Sequence, residues 1–143
     1  MGTRGRITIL HNKRTDIVFW IRFDAYVCGL GDKLCEIIKG LLERYSAEEL
    51  QALIDKKTPD PEGTSCDYFD MEEFERFILE TPTYHSADCD DIQYEYFISF
   101  RKAFISVYDK GRVGDLGLRL GFKDISDGRV LSEFEAKETD LEY

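Results

Sequence analysis

Apolar positions cluster in two runs near the start of the chain, residues 6–11 and 16–23, with the polar stretch Asn12-Lys13-Arg14-Thr15 between them. Two β-rich runs across so short a gap predict a hairpin. In the second run Ile17, Phe19, Ile21 and Phe23 alternate with Val18, Trp20 and Arg22, so both faces are largely apolar. That pattern predicts a central strand, or one covered by helices.

The period then changes. Gly29-Leu30-Gly31-Asp32 punctuates the chain, and Leu34, Ile37, Ile38, Leu41, Leu42 and Tyr45 recur at helical spacing. This predicts an amphipathic helix with one buried stripe. Ser46-Ala47-Glu48-Glu49 fits a capping box opening a second helix, with Leu50, Leu53 and Ile54 as its stripe. Residues 58–65, with two prolines and a glycine, read as a loop. Asp70 is placed to cap a third helix through Glu80, with Phe74, Phe77 and Ile78 inward and Pro82 beyond its end.

A second hairpin is predicted at residues 93–100 and 103–108, flanking Arg101-Lys102. Gly111, Gly114, Gly117 and Gly121 predict an irregular or tightly turned segment, and the acidic residues 132–143 a frayed helix or tail. The expected fold is a single α+β domain over residues 1–143. It has an antiparallel sheet built from two hairpins, with two or three helices on one face.

Length and composition agree with that picture. The 143 residues, 43% hydrophobic and 13% aromatic, suffice for one substantial core. Charge adds something new. Of the net −10, residues 58–100 carry 12 acids against one base, Arg76, while the flanking parts are nearly balanced. Such a surface repels a phosphate backbone, so direct nucleic-acid binding is disfavoured and a basic protein partner is favoured.

Cys28, Cys35, Cys66 and Cys89 show no paired spacing of a zinc site, and no secretory leader is recognisable in the first residues. Free thiols in a reducing cytoplasm, including that of a host cell, are expected. No apolar run approaches the ~20 residues of a membrane span, and Arg6 stands where a myristoylation signal has Ser or Thr.

No catalytic, cofactor or metal motif stands out. His85 with Cys89 or Cys66 has the residue types of a nucleophile–base pair but no local signature, and idle thiols are the preferred reading. Asp88, Asp90 and Asp91 lack the glycine and final glutamate of an EF-hand loop, so a solvated acidic loop is expected. The aromatic strands around Tyr94 and Tyr108 resemble a base-stacking platform, but the acidic surroundings favour core packing. Two sites remain. Asp24, Tyr26, Gly29 and Gly31 form a turn before the long helix, where a small anion would meet backbone N–H groups, with Lys33 or Arg22 as counter-charge. The simpler reading gives the glycines to turn geometry. Asp67, Asp70, Glu72, Glu73, Glu75, Asp88, Asp90 and Asp91 form the candidate partner surface.

The opening Met1-Gly2-Thr3-Arg4-Gly5, with Phe23-Asp24-x-Tyr26-x-x-Gly29-Leu30-Gly31 about 20 residues later, resembles a group of small uncharacterised phage, large-virus and microbial proteins. These begin MGTRG and carry an aromatic-Asp-x-Tyr-Pro-x-Gly-x-Gly turn. Val27 stands where the group has proline. The resemblance implies a shared hairpin and turn and no activity. The leading functional expectation is a non-enzymatic binding or regulatory protein whose acidic surface meets a basic partner, one version being a DNA-mimic inhibitor. The alternatives are an N-terminal-nucleophile hydrolase and the small-anion binder. The first suffers because Thr3, one residue beyond Gly2, lies too deep to supply the nucleophile.

Overall fold

The computed structural model describes residues 3–22, 24–60, 69–84, 92–109 and 117–133. The first hairpin forms where the alternation predicts it. β1 (Gly5–Ile9) and β2 (Ile17–Ile21) pair antiparallel, with Gly5 opposite Ile21 and Ile9 opposite Ile17. Ile7, Ile9, Ile17, Phe19 and Ile21 share one face and are buried, which leaves Arg6, Thr8, Val18 and Trp20 on the other. His11 leaves the strand that the pattern assigned it to, for a reason described below.

The chain then winds through one π-helical turn, Val27–Gly31, into α1 (Asp32–Leu42). The buried stripe of α1 is Leu34, Cys35, Ile38 and Leu41, with Ile37 and Leu42 at its partly covered margin and Tyr45 beyond its end. α2 (Ala47–Asp55) opens with the expected capping box. The Glu49 amide donates to Ser46 Oγ and the Ser46 amide to Glu49 Oε1, both at 3.1 Å. The loop expected at 58–65 opens with the short strand β3 (Thr58–Pro59), and residues 61–68 lie outside the described residues.

Asp70 caps as expected, but the helix starts as a 3₁₀ turn, Met71–Glu73, before α3 (Phe74–Glu80). β4 (Thr83–Tyr84) runs parallel beside β3. The second hairpin is β5 (Tyr94–Ser99) with β6 (Phe104–Asp109). The glycine-rich segment, expected to be irregular, yields a further strand, β7 (Gly117–Gly121), which pairs with β6 and leads into α4 (Phe122–Ser126).

The fold is α+β, and the main sheet has the order β2-β1-β5-β6-β7. It is not wholly antiparallel. β1 and β5 join the two hairpins side by side in parallel, Ile7 opposite Tyr96. β2 returns the chain to the end of the sheet where Gly5 faces both Ile21 and Tyr94, and the segment from α1 to α3 then crosses over β1 to begin β5. Hairpin spacing within each pair says nothing about which strand ends meet between pairs. The helices pack on one face, as expected: Leu34, Ile38, Leu41, Leu50, Ile54, Phe74 and Ile78 share one core with Ile7, Tyr96, Ile98 and Ile105.

Of the segment 132–143 expected to fray, residues 134–143 lie outside the described residues, and its start is tied down. Leu131 is buried, and Asp32 at the start of α1 accepts from the Ser132 amide (3.0 Å) and hydroxyl (2.6 Å). No helix among the described residues is long and apolar enough to cross a membrane.

Candidate functional site

The turn between β2 and α1 is built mainly by its own backbone. Asp24 takes a left-handed conformation, φ 56°, and its carbonyl accepts the Leu30 amide at 3.0 Å. The Tyr26 carbonyl accepts the amides of Gly29 (3.0 Å) and Gly31 (3.3 Å). A Cβ on Gly29 would stand 2.8 Å from the Asp24 carbonyl oxygen, which accounts for that glycine. Gly31 is buried where a side chain would press on Tyr96 and Leu131, both 3.3 Å away. Tyr96 in turn donates its hydroxyl to the Ala25 carbonyl at 2.6 Å.

Of the residues that carry the resemblance, Thr3 and Gly5 meet the turn at this corner. The Ala25 amide donates to the Thr3 carbonyl at 3.2 Å, and Gly5 lies so close to Ala25 that a Cβ there would fall 2.7 Å from the alanine's own. The amide donors expected to receive an anion are therefore engaged inside the turn. An anion at this corner would have to be held by side chains.

Those side chains point outward. Tyr26 is 41% exposed, its ring meeting Tyr94 edge-on at 6.5 Å between centroids. Asp24, Arg22 and Lys33 are exposed. Among the described residues, the Asp24 carboxylate and the Lys33 ammonium have no hydrogen-bond or ion-pair partner, whereas Arg22 has one.

Asp24, Arg22 and Lys33, but not Tyr26, line an open cleft of about 580 Å³. Its apolar part comes from Ile21, Leu30, Phe69 and Met71, and its charged part from Arg22, Asp24, Lys33 and Asp70. Phe69 is held there by its amide, which donates to the Trp20 carbonyl at 2.8 Å, and by stacking on Phe19 at 4.1 Å. Asp70 keeps Oδ1 on the Glu72 amide at 3.0 Å. The cleft thus unites members of both expected sites. Nothing in the local pattern announces this, because Leu30 and Met71 are brought together only by the crossover.

From the cleft the acidic surface continues along the 3₁₀ turn and α3. Asp70, Glu72, Glu73 and Glu75 are all exposed. Arg44 pairs with Glu75, and Arg76 lies 3.7 Å from Glu73 and 3.3 Å from Glu80. Among the described residues the Glu72 carboxylate has no partner. Asp67, Asp88, Asp90 and Asp91, together with His85, Cys66 and Cys89, lie outside the described residues.

A second polar cluster sits at the other end of the β1–β2 hairpin. His11 is buried, and its Nδ1 accepts from the amides of Lys13 and Arg14, each at 3.0 Å. Nε2 therefore carries the hydrogen and donates to the Lys57 carbonyl at 3.0 Å. This is why His11 leaves the strand: the loop folds back around its ring. Asp55 accepts from the Asn12 amide (3.0 Å) and from Gln51 Nε2 (2.9 Å). Burial pushes its pKa up, but the hydrogen bonds from Asn12 and Gln51 outweigh that and lower it overall. Lys57 is buried, with no carboxylate partner among the described residues. Its ammonium donates to the Phe77 (2.7 Å) and Thr81 (2.5 Å) carbonyls at the end of α3, and burial lowers its pKa to about 8.

Of the thiols, Cys28 is free and exposed and Cys35 is free and buried, with burial foremost in pushing its pKa up to about 12. Among the described residues no three His, Cys, Asp or Glu side chains gather as a metal site. No protein family, curated protein or solved structure matches the chain.

Proposed function

We propose that the chain is a non-enzymatic binding protein that engages a basic protein partner through the surface of Asp70, Glu72, Glu73 and Glu75. The observation that carries this reading is the run of exposed carboxylates over the 3₁₀ turn and first turn of α3, on an element whose apolar residues Phe74, Phe77 and Ile78 are buried. Residues 69–84 hold five acids against Arg76 alone. The pairs with Arg44 and Arg76 are exposed, and such pairs contribute little, so a partner's cations can replace them. Asp24 at the neighbouring cleft extends the same negative surface. A DNA-mimic inhibitor is one form this function takes, with the carboxylates standing where phosphates would.

The test starts from a partner captured by the full chain and identified by mass spectrometry. Replacing Glu72, Glu73 and Glu75 together by glutamine should slow its association about tenfold at low salt and flatten the dependence on ionic strength. An unchanged on-rate and salt slope would reduce the acidic surface to a solubility device.

A further inference from the structure

The cleft differs in kind from the acidic surface, because it sets opposite charges around an apolar floor. Asp24 lines the cleft, exposed and without a partner among the described residues. A left-handed aspartate is usually tolerated because its side chain can hydrogen-bond locally. Here it makes no such bond, and the backbone alone holds the conformation through the Leu30 amide. The fold thus keeps a strained residue with its carboxylate free beside a cleft, an arrangement that belongs to ligand sites more than to turns.

Lys33, one helical turn after Gly29, lines the cleft too and is also without a partner among the described residues. Arg22 adds a second cation, while Leu30, Phe69 and Met71 offer apolar contact.

A simple anion would meet the repulsion of Asp24 and Asp70, and a simple cation that of Lys33 and Arg22. A ligand with both charges and an apolar body satisfies all of them. We infer that the cleft binds an amphipathic zwitterion of the α-amino-acid type, its ammonium on Asp24, its carboxylate on Lys33 and its apolar side chain on Leu30, Phe69 and Met71. The volume of about 580 Å³ lies within the range of small-molecule sites and admits a free amino acid or a dipeptide, which share this chemistry. The inference shares Asp24 and Asp70 with the partner reading but not Glu72, Glu73 and Glu75, which do not line the cleft, so replacing those three tests the partner reading alone.

The test is a titration of the full ¹⁵N-labelled chain, followed by amide shifts. The compounds are L-phenylalanine, the dipeptide phenylalanyl-leucine, N-acetyl-phenylalanine, which lacks the ammonium, and phenylalaninamide, which lacks the carboxylate. The amides of Gly29, Leu30, Lys33 and Asp70 should shift. The free amino acid or the dipeptide should bind about tenfold more tightly than either blocked compound, and whichever of the two is tighter identifies the source.

Asp24→Asn, which keeps a residue type that tolerates the left-handed region, should lose affinity for compounds with a free ammonium and none for N-acetyl-phenylalanine. Lys33→Gln should show the mirror pattern with the amide. Glu72→Gln with Glu73→Gln and Glu75→Gln should leave all affinities unchanged. Equal binding of free and blocked compounds, shifts mapping elsewhere, or no shifts at about 10 mM ligand would overturn the inference.

Discussion

The two ends of the β1–β2 hairpin use polar residues in opposite ways. At the loop end, the His11 ring is bonded through both nitrogens, Asp55 accepts from Asn12 and Gln51, and the Lys57 ammonium closes α3. These polar groups hold the fold together, and His11 and Lys57 are out of reach of a ligand. At the turn end the backbone satisfies itself, and Asp24, Tyr26 and Lys33 are left over, exposed beside a cleft. Residue type does not tell the two apart. A histidine, an aspartate and a lysine that look like chemistry are structure, and an aspartate that looks like a turn residue is the better candidate for recognition.

The sharpest way to break this contrast is at His11. His11→Ala removes the acceptor of the Lys13 and Arg14 amides and the donor to the Lys57 carbonyl, and empties buried space. Unfolding in urea should show a loss of about 2–4 kcal/mol. Binding at the cleft should be unchanged under conditions where the variant is folded. A loss within ~0.5 kcal/mol, as at ordinary surface sites, would dissolve the distinction from the structural side.

Lys57 gives a smaller effect, read through pH. Its ordinary pKa of 10.5 falls to about 8 in the fold. Above pH 8 the unfolded chain therefore holds a proton that the folded chain has lost, and stability rises with pH. Cys35 acts the other way. Its thiol goes from an ordinary 9.0 to about 12, so above pH 9 the unfolded chain loses a proton that the folded chain keeps, and stability falls. The Lys57 contribution should appear as a rising slope between about pH 8 and 9, and Lys57→Met should abolish it whatever its effect on stability at pH 7. Persistence of the slope in the variant would assign it to another group.

Much of the frame was legible from residue order. The capping box at Ser46, the cap at Asp70 and the alternation in both hairpins are local signals, and each appears where residues a few positions apart predict it. The parallel joining of β1 to β5, the strand drawn from Gly117–Gly121 and the docking of Leu131 beside Gly31 depend on distant partners. The same holds for the site. The turn at Asp24 could be read from its glycines, but its meeting with Phe69, Asp70 and Met71 could not, because the crossover alone sets that distance. The amides of Gly29 and Gly31 are a related case: the π-helical turn folds them back on itself, in keeping with the turn-geometry reading, and no pattern of two glycines distinguishes that from an open nest.

The central claim is that the turn is built by its backbone and leaves its side chains for a ligand, and Asp24→Gly tests it most directly. Glycine accepts φ 56° without strain and brings no carboxylate. The account predicts that chemical unfolding of Asp24→Gly shows stability unchanged or raised by up to about 1 kcal/mol, while L-phenylalanine no longer shifts the amides of Gly29 and Lys33. A loss of more than about 1 kcal/mol, with those shifts intact, would make Asp24 a structural residue like His11 and contradict the account.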